Sequence, residues 1–272
     1  MIPDKVSLDL ALFLPIYGWL LLIIWARYVF MAGIVHKSLW RPDATVRTGS
    51  ALTGRAPGAA AMWREAKTSI GVSLIYALPA AVLFFLFEQG GTALTREIGG
   101  LGDLFWQPVA LILYLVLHDT YFYWTHRAMH HPRLYKATHH THHMSKQPTA
   151  WASFCFSPAE ALIGAVIVPA LAFVIPIHVA TFLLLLSLMT FSAVMNHAGV
   201  EVWPRRFLDG PIGRHLITAR HHNLHHTKFQ RNFGLYFRWW DRLMGTDSLE
   251  GDPVSEAGRD KMAVRVPANA PL

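Results

Sequence analysis

The sequence predicts an all-α integral membrane protein in which about five apolar helical spans carry a histidine-rich helical cap on the cytoplasmic side. Three observations lead there. Of 272 residues, 53% are hydrophobic and only 15% are charged, with a mean hydropathy of +0.30, too apolar for an ordinary soluble domain of this length. Several long stretches lack charge altogether. The histidines that fall in spaced groups sit beside those stretches and not within them.

Taken in order, Leu8 to Trp25 contains only Asp9 near its start and is long enough to cross a hydrocarbon core of about 30 Å as a helix. Asp4, Lys5 and Asp9 precede or open it, and it lacks a small-residue cleavage pattern, so it reads as a retained span and not a signal peptide. Ile70 to Phe87 has no charged residue. Leu104 to Leu117 passes directly into His118 and Asp119, and its helical pattern continues to His131. Ala161 to Val200 has no Asp, Glu, Lys or Arg; Pro169 and Pro176 interrupt it, which predicts two spans joined by a tight turn around Ile175 to His178. Residues 250–272 are polar, Pro-containing and aperiodic and predict a mobile tail, leaving 1–249 as a single membrane-embedded domain.

Orientation follows from positive charge. The connection between the first two spans carries Lys37, Arg41, Arg47, Arg55, Arg64 and Lys67, whereas the next carries only Arg96, so the former is expected in the cytoplasm and the N-terminus outside. Counting spans onward puts His126 to His143, and the segment with Arg205, Arg206, Arg214 and Arg220, on the cytoplasmic side too. Histidine position was no input to this count, yet all the histidine groups fall on one face.

Those groups are His126/His130, His139/His142/His143 and His222/His225/His226, with His197 between the last two. A helical residue advances about 100°, so members three or four apart project within an arc of about 100° and can converge on one ion. Neutral imidazole is the commonest nitrogen ligand for transition metals near neutral pH. Nine such residues would saturate one tetrahedral ion with about half left over, which favours two metals. His140 and His221 fall off the clustered faces and read as bystanders or outer partners, and His36, His178 and His215 as ordinary surface or capping residues. Chance recurrence of three helical ligand spacings is improbable.

Other classes are excluded briefly. The net charge of +7 and pI near 9.7 belong to loops facing anionic head groups, so no nucleic-acid partner is implied. Cys155 is the single cysteine, which rules out an internal disulfide, a multi-thiolate zinc site or an iron–sulfur cluster held by this chain. There is no phosphate-binding glycine loop and no H-E-x-x-H protease signature.

The run His118-Asp119-Thr120-Tyr121-Phe122-Tyr123-Trp124-Thr125-His126-Arg127 with His130, then His139-His140-Thr141-His142-His143, then His222-Asn223-Leu224-His225-His226, resembles the fatty acid hydroxylase superfamily, which includes sterol desaturases, sterol methyl oxidases and alkylglycerol monooxygenase. Asn232-Phe233-Gly234 and Trp240-Asp241-Arg242-Leu243-Met244-Gly245-Thr246 are also similar to the family's ending, so the likeness covers roughly 104–247. It implies a membrane oxidoreductase with a cytoplasm-facing di-iron centre that uses dioxygen and two electrons to hydroxylate or desaturate an unactivated lipid C–H bond. It also implies an external electron donor, a ferredoxin or small haem protein fed by a reductase. Spacing alone does not choose iron over zinc. His126, His130, His139, His142, His143, His222, His225 and His226 match the three motifs, and His197 matches a further ligand position. Some members use another histidine one turn later, where this chain has Glu201; Glu201, Asn196 through a water, or a histidine from elsewhere are then candidates for the last ligand.

Asp119 lies within about 20° of the His126/His130 face and His118 roughly 80° from His126, with a rise of about 10 Å that suits Asp119 to an outer, orienting role as well as to a polar interface position. Tyr121, Phe122, Tyr123 and Trp124 suit a lipid cavity or an aromatic interface belt. The expected function is therefore di-iron lipid hydroxylation or desaturation, by a monooxygenase-type or desaturase-type outcome of one chemistry. The alternative is a histidine-rich membrane metal transporter or metal-binding protein, against which stands the lack of acidic groups at membrane depth.

Overall fold

The computed structural model describes residues 9–41, 46–47, 49–52 and 58–249; the expected tail at 250–272, together with Leu8 and Arg55, lies outside the described residues. The chain runs α1 (Leu10–Leu39), α2 (Ala59–Glu88), α3 (Leu101–Met129), the short α4 (Pro132–Thr138) and α5 (His140–His143), then α6 (Pro158–Leu171), α7 (Val179–Asn196), one-turn α8 (Arg205–Leu208), α9 (Ala219–Lys228) and α10 (Trp239–Leu243). Helix is what a membrane demands of such apolar stretches, because each N–H and C=O must find a partner within its own segment.

Among the described residues, four helices, α1, α2, α3 and α7, have the length and apolarity to cross a membrane. α6 differs from expectation. Its 14 residues extend only about 21 Å, short of a core of about 30 Å. Ser157 and Pro158 set its start, the Ser157 Oγ accepting the Glu160 N–H at 3.1 Å, and the turn before Pro176 ends it. Large apolar side chains on the outer faces of the long helices, such as Leu12, Leu14, Trp19, Leu78, Ile112 and Leu184, are exposed, as suits a lipid solvent.

Small residues set the close helix approaches: Ala32, Ala77, Ala81, Ala110 and Ala161 are completely buried. One core cluster joins Tyr28, Ala32 and Val35 of α1 to Val194 of α7 and to Ala150; a second joins Leu83, Ala110, Tyr114, Val168 and Leu185. Two minimal β-pairings tie the ends. β1 (Ser50–Ala51) runs antiparallel to β4 (Val200–Glu201), and β2 (Leu94–Thr95) parallel to β3 (Ile177–His178).

These ties sort the connections onto two ends. The end of α1 and the start of α2 meet the cap segments, through Trp40 Nε1 donating to Ala198 O at 3.0 Å, Thr149 Oγ1 donating to Glu65 Oε2 at 2.6 Å and Asn223 Nδ2 donating to Leu52 O at 3.3 Å. The connection rich in Lys and Arg thus shares its end with the histidine groups. Arg96 lies with β2 and β3, where His178 Nε2 contacts its carbonyl at 3.0 Å.

Candidate metal centre

Local signals deliver each histidine. His126 occupies the last turn of α3 and His130 its C-cap. The His131 ring accepts the Arg133 N–H, and Pro132 opens α4, so the chain reverses at once and brings His139, in non-helical backbone (φ −120°), back to His126. α9 starts with a capping box between Thr218 and His221. It stops where Phe229 (φ +60°) and Asn232 (φ +56°) adopt left-handed backbone, turning the Arg231 and Phe233 carbonyls toward the histidines.

All nine sequence-predicted ligand histidines come together, in two groups. His126, His130, His139, His143 and His225 form one, and His142, His197, His222 and His226 the other; within each, one ligand atom per residue lies within 4.8 Å of all the rest. Sequence spacing suggested that each motif converges on one ion. Instead the four-apart pairs, 126/130, 139/143 and 222/226, stay together while His142 and His225 cross to the opposite group. A four-residue step overshoots a full turn by about 40° and a three-residue step falls short by about 60°, so the intermediate ring points to the other side.

Hydrogen bonds fix which nitrogen faces inward. The Nδ1 atoms of His126, His225 and His197 face the carbonyls of Phe233 (2.8 Å), Arg231 (2.8 Å) and Ala193 (2.7 Å). His139 Nδ1 faces Glu160 Oε1 at 2.7 Å. A carbonyl only accepts, so the Nδ1 atoms of His126, His225 and His197 carry the proton and their Nε2 lone pairs point inward. Yet His126 Nε2 and His139 Nε2 are 2.9 Å apart, and His130, His143 and His225 close a triangle of Nε2 contacts at 3.0–3.2 Å. In the second group, His222–His197, His226–His222 and His142–His197 are 2.9, 3.1 and 3.2 Å apart. A cation seated among the inward nitrogens fits such distances. Nitrogens bound at about 2.0–2.1 Å to one ion are roughly 3.0 Å apart at right angles and roughly 3.4 Å at the tetrahedral angle. The donor sets fit metal ions.

Burial holds the rings neutral, the form that coordinates. The His130 and His143 imidazoles are pushed down to about 2 and about 3, first by loss of solvent and then by neighbouring histidines. His139, His142, His222, His225 and His226 are lowered well below the usual range for the same two reasons.

The other candidates take different places. Asp119 touches no histidine of either group: its Oδ1 accepts the N–H groups of Leu235, Tyr236 and Phe237 (3.2, 2.7 and 3.3 Å) and its Oδ2 the Trp239 indole N–H (2.9 Å), clamping the return segment to α3. His118 Nδ1 meets the Tyr236 hydroxyl at 2.9 Å. Glu201 lies in neither group, and Asn196 is turned to the return segment. Glu201 accepts the Trp203 and Arg220 N–H groups, and Asn196 Nδ2 donates to Leu235 O, since both face backbone that would otherwise be unpaired. His140 is exposed; His221 is buried but turned to Thr218 as part of the cap. Tyr123 and Trp124 pack on Trp240.

Two acids were not anticipated. Glu160 orients His139; its signal was Ser157-Pro158-Ala159-Glu160, a helix-start pattern at the edge of an apolar run. Asp241 accepts the Phe233 and Gly234 N–H groups at 2.8 Å each, holding the carbonyl that orients His126. At Gly234 a Cβ would stand 2.6 Å from Phe237 O and 2.9 Å from Asp241 Oδ2, so only glycine fits this clamp.

Comparison with known proteins agrees with this geometry. The family model for fatty acid hydroxylases matches residues 111–246. A Delta(7)-sterol 5(6)-desaturase of Gibberella zeae is 32% identical over 198 residues, 69% of this chain and 58% of that protein. Lathosterol oxidase of Homo sapiens is 31% identical over 196 residues, 69% and 63% of the two chains. A methylsterol monooxygenase of Aspergillus fumigatus is 34% identical over 198 residues, 70% and 63% of the two chains. The chain thus spans less than two thirds of the length of these curated relatives. No solved structure matches it.

Two outcomes are expected. Glu160→Gln keeps the shape but removes the carboxylate behind His139, so metal retention measured by chelator competition should weaken roughly 10-fold to 100-fold. In metal-free protein the unfolded histidines titrate near 6.5 while burial holds His130 and His143 neutral down to about 2 and about 3, so the unfolded state binds more protons in between. Stability should be full above pH of about 6.5 and fall steadily as pH drops below it, read as a falling thermal midpoint.

Proposed function

This chain belongs to the fatty acid hydroxylase family, and on that premise we propose that it is a membrane-bound oxidoreductase that hydroxylates or desaturates a C–H bond of a sterol-type lipid. The observation that carries this reading is the pair of adjacent histidine groups with inward lone pairs. Two iron ions, held by His126, His130, His139, His143 and His225 and by His142, His197, His222 and His226, would supply the dioxygen chemistry; zinc suits the same nitrogens and can substitute on overexpression.

The chain's own residues do the rest. Glu160 and the Phe233, Arg231 and Ala193 carbonyls hold Nδ1 protons so that each Nε2 stays a free donor. Burial of the rings keeps water away from a strongly oxidising site. The apolar helices leave the lipid in the bilayer while its reacting carbon reaches the cap. Electrons come from an external donor, for which the family likeness implies a ferredoxin or small haem protein with its reductase; the chain has one cysteine and no nucleotide-binding glycine motif. Lys37 in the last turn of α1, Arg41 just after it and Arg64 and Lys67 near the start of α2 lie at the histidine end and Arg96 at the other, which supports a cytoplasmic centre. A transporter would string its ligands along a path at membrane depth, whereas these are gathered in two closed groups at one end.

His142→Ala and His225→Ala, one from each group, should abolish product and lower bound metal in elemental analysis. His140→Ala and His221→Ala should keep two ions per chain and measurable turnover, with His221→Ala less stable by about 1 kcal/mol through loss of its cap. Equal metal and activity in all four variants would sink the assignment. A cysteine placed at exposed His140 should react with an impermeant thiol reagent only from the cytoplasmic face; labelling from outside would reverse the orientation.

A further inference from the structure

Next to the second histidine group the protein has a cavity of about 260 Å³. Its walls are Leu115 of α3, the last turns of α7, the β4 region and the first turn of α9, with Tyr236 and Phe237 of the clamped return segment. Two of those walls lead straight to the centre. Asn196 is followed by His197, Ala219 is one turn before His222, and His197 Nε2 and His222 Nε2 are 2.9 Å apart. The cavity opens past Leu188 and Phe191 of α7, which are 38% and 45% exposed on a helix of span length.

The lining is apolar except for Ser192, Asn196, Glu201, Thr218 and the Tyr236 hydroxyl, and of these Asn196 offers an unspent amide oxygen. Asn196 is only 5% exposed and gives one N–H to Leu235 O, but its Oδ1 has no partner among the described residues. Such an acceptor inside an apolar cavity calls for a donor. The Tyr236 hydroxyl shares the wall; its bond to His118 Nδ1 leaves it further hydrogen-bonding capacity.

We propose that this cavity seats the reacting end of the lipid, that the lipid carries a hydroxyl close to the carbon to be oxidised, and that this hydroxyl donates to Asn196 Oδ1. This rests on the function proposed above and deepens it: the hydroxyl is read by Asn196, the second histidine group faces the substrate, and the apolar remainder lies along Leu188 and Phe191 toward the bilayer. At about 260 Å³ the cavity is just below the usual range for small-molecule sites, so it holds one end of a lipid and not the whole.

The test is equilibrium binding to the purified metal-loaded protein, with energy transfer from its tryptophans, Trp203 lining the cavity, to the fluorescent sterol dehydroergosterol. The sterol's methyl ether, which cannot donate, and the fluorescent fatty acid cis-parinaric acid are the comparison probes. Dehydroergosterol should bind about tenfold more tightly than its ether, the worth of one hydrogen bond to the Asn196 oxygen. Asn196→Leu should erase that preference. Phe191→Trp, a change at an exposed position that leaves the fold alone, should weaken alcohol and ether alike by narrowing the opening. Equal binding of alcohol and ether by the unmodified protein, tighter binding of cis-parinaric acid, or an unaltered preference in a folded, metal-loaded Asn196→Leu variant would each overturn the proposal. Alcohol preference in a protein that oxidises no lipid would refute the proposed function and uphold this site; lipid oxidation without alcohol preference would do the reverse.

Discussion

The constraint on which the rest of this molecule depends is that an imidazole can offer its inner nitrogen only if its outer one is held. His126, His139, His197 and His225 each spend Nδ1 on a fixed acceptor between 2.7 and 2.8 Å away. Three of those acceptors are backbone carbonyls, so the path of the main chain sets the metal site as much as the histidines do. The left-handed turns at Phe229 and Asn232, the Asp119 and Asp241 clamps and the glycine at 234 serve to hold carbonyls in place. Leaving those clamped N–H groups without partners would cost roughly 1–3 kcal/mol each.

What could be read from the sequence follows from the same physics. The span helices are legible because charge-free stretches admit few other structures in lipid, and eight of the nine histidines because a repeat of three and four residues marks one side of a helix, while His197 rests on the family resemblance. The division into five and four was not, since it turns on whether a ring falls about 40° or about 60° from its neighbour. α6 was read as a span from apolarity alone; its length is set by Ser157 and by the turn before Pro176, which hydropathy does not weigh. Glu160 escaped notice because a single acid beside a helix start serves as a cap far more often than as a partner of histidine. Asp119 was seen, but its role lies with residues 116–120 positions further along, beyond any local pattern.

The two ends of the molecule have opposite characters. At one, basic connections, buried imidazoles and clamped loops are crowded together; at the other, β2 and β3 and a few polar caps close the bundle. The long helices between them have lipid-compatible faces and small-residue contacts, a frame that is stiff without being polar. Dry surroundings keep the rings deprotonated, the form in which their inner nitrogens can bind a cation.

The crossing of His142 and His225 between groups has a consequence for synthesis. Neither group can close until α9 exists, because His225 belongs to one and His222 and His226 to the other. As the chain leaves the ribosome, α1, α2 and α3 emerge first, and His126 to His143 wait without their partners from α9. Only when the residues up to the Phe233 carbonyl have emerged can both centres form, and they form together. Closure of the two groups is therefore a late and joint event in the birth of this protein, set by the arrival of α9 and not by the helices that precede it.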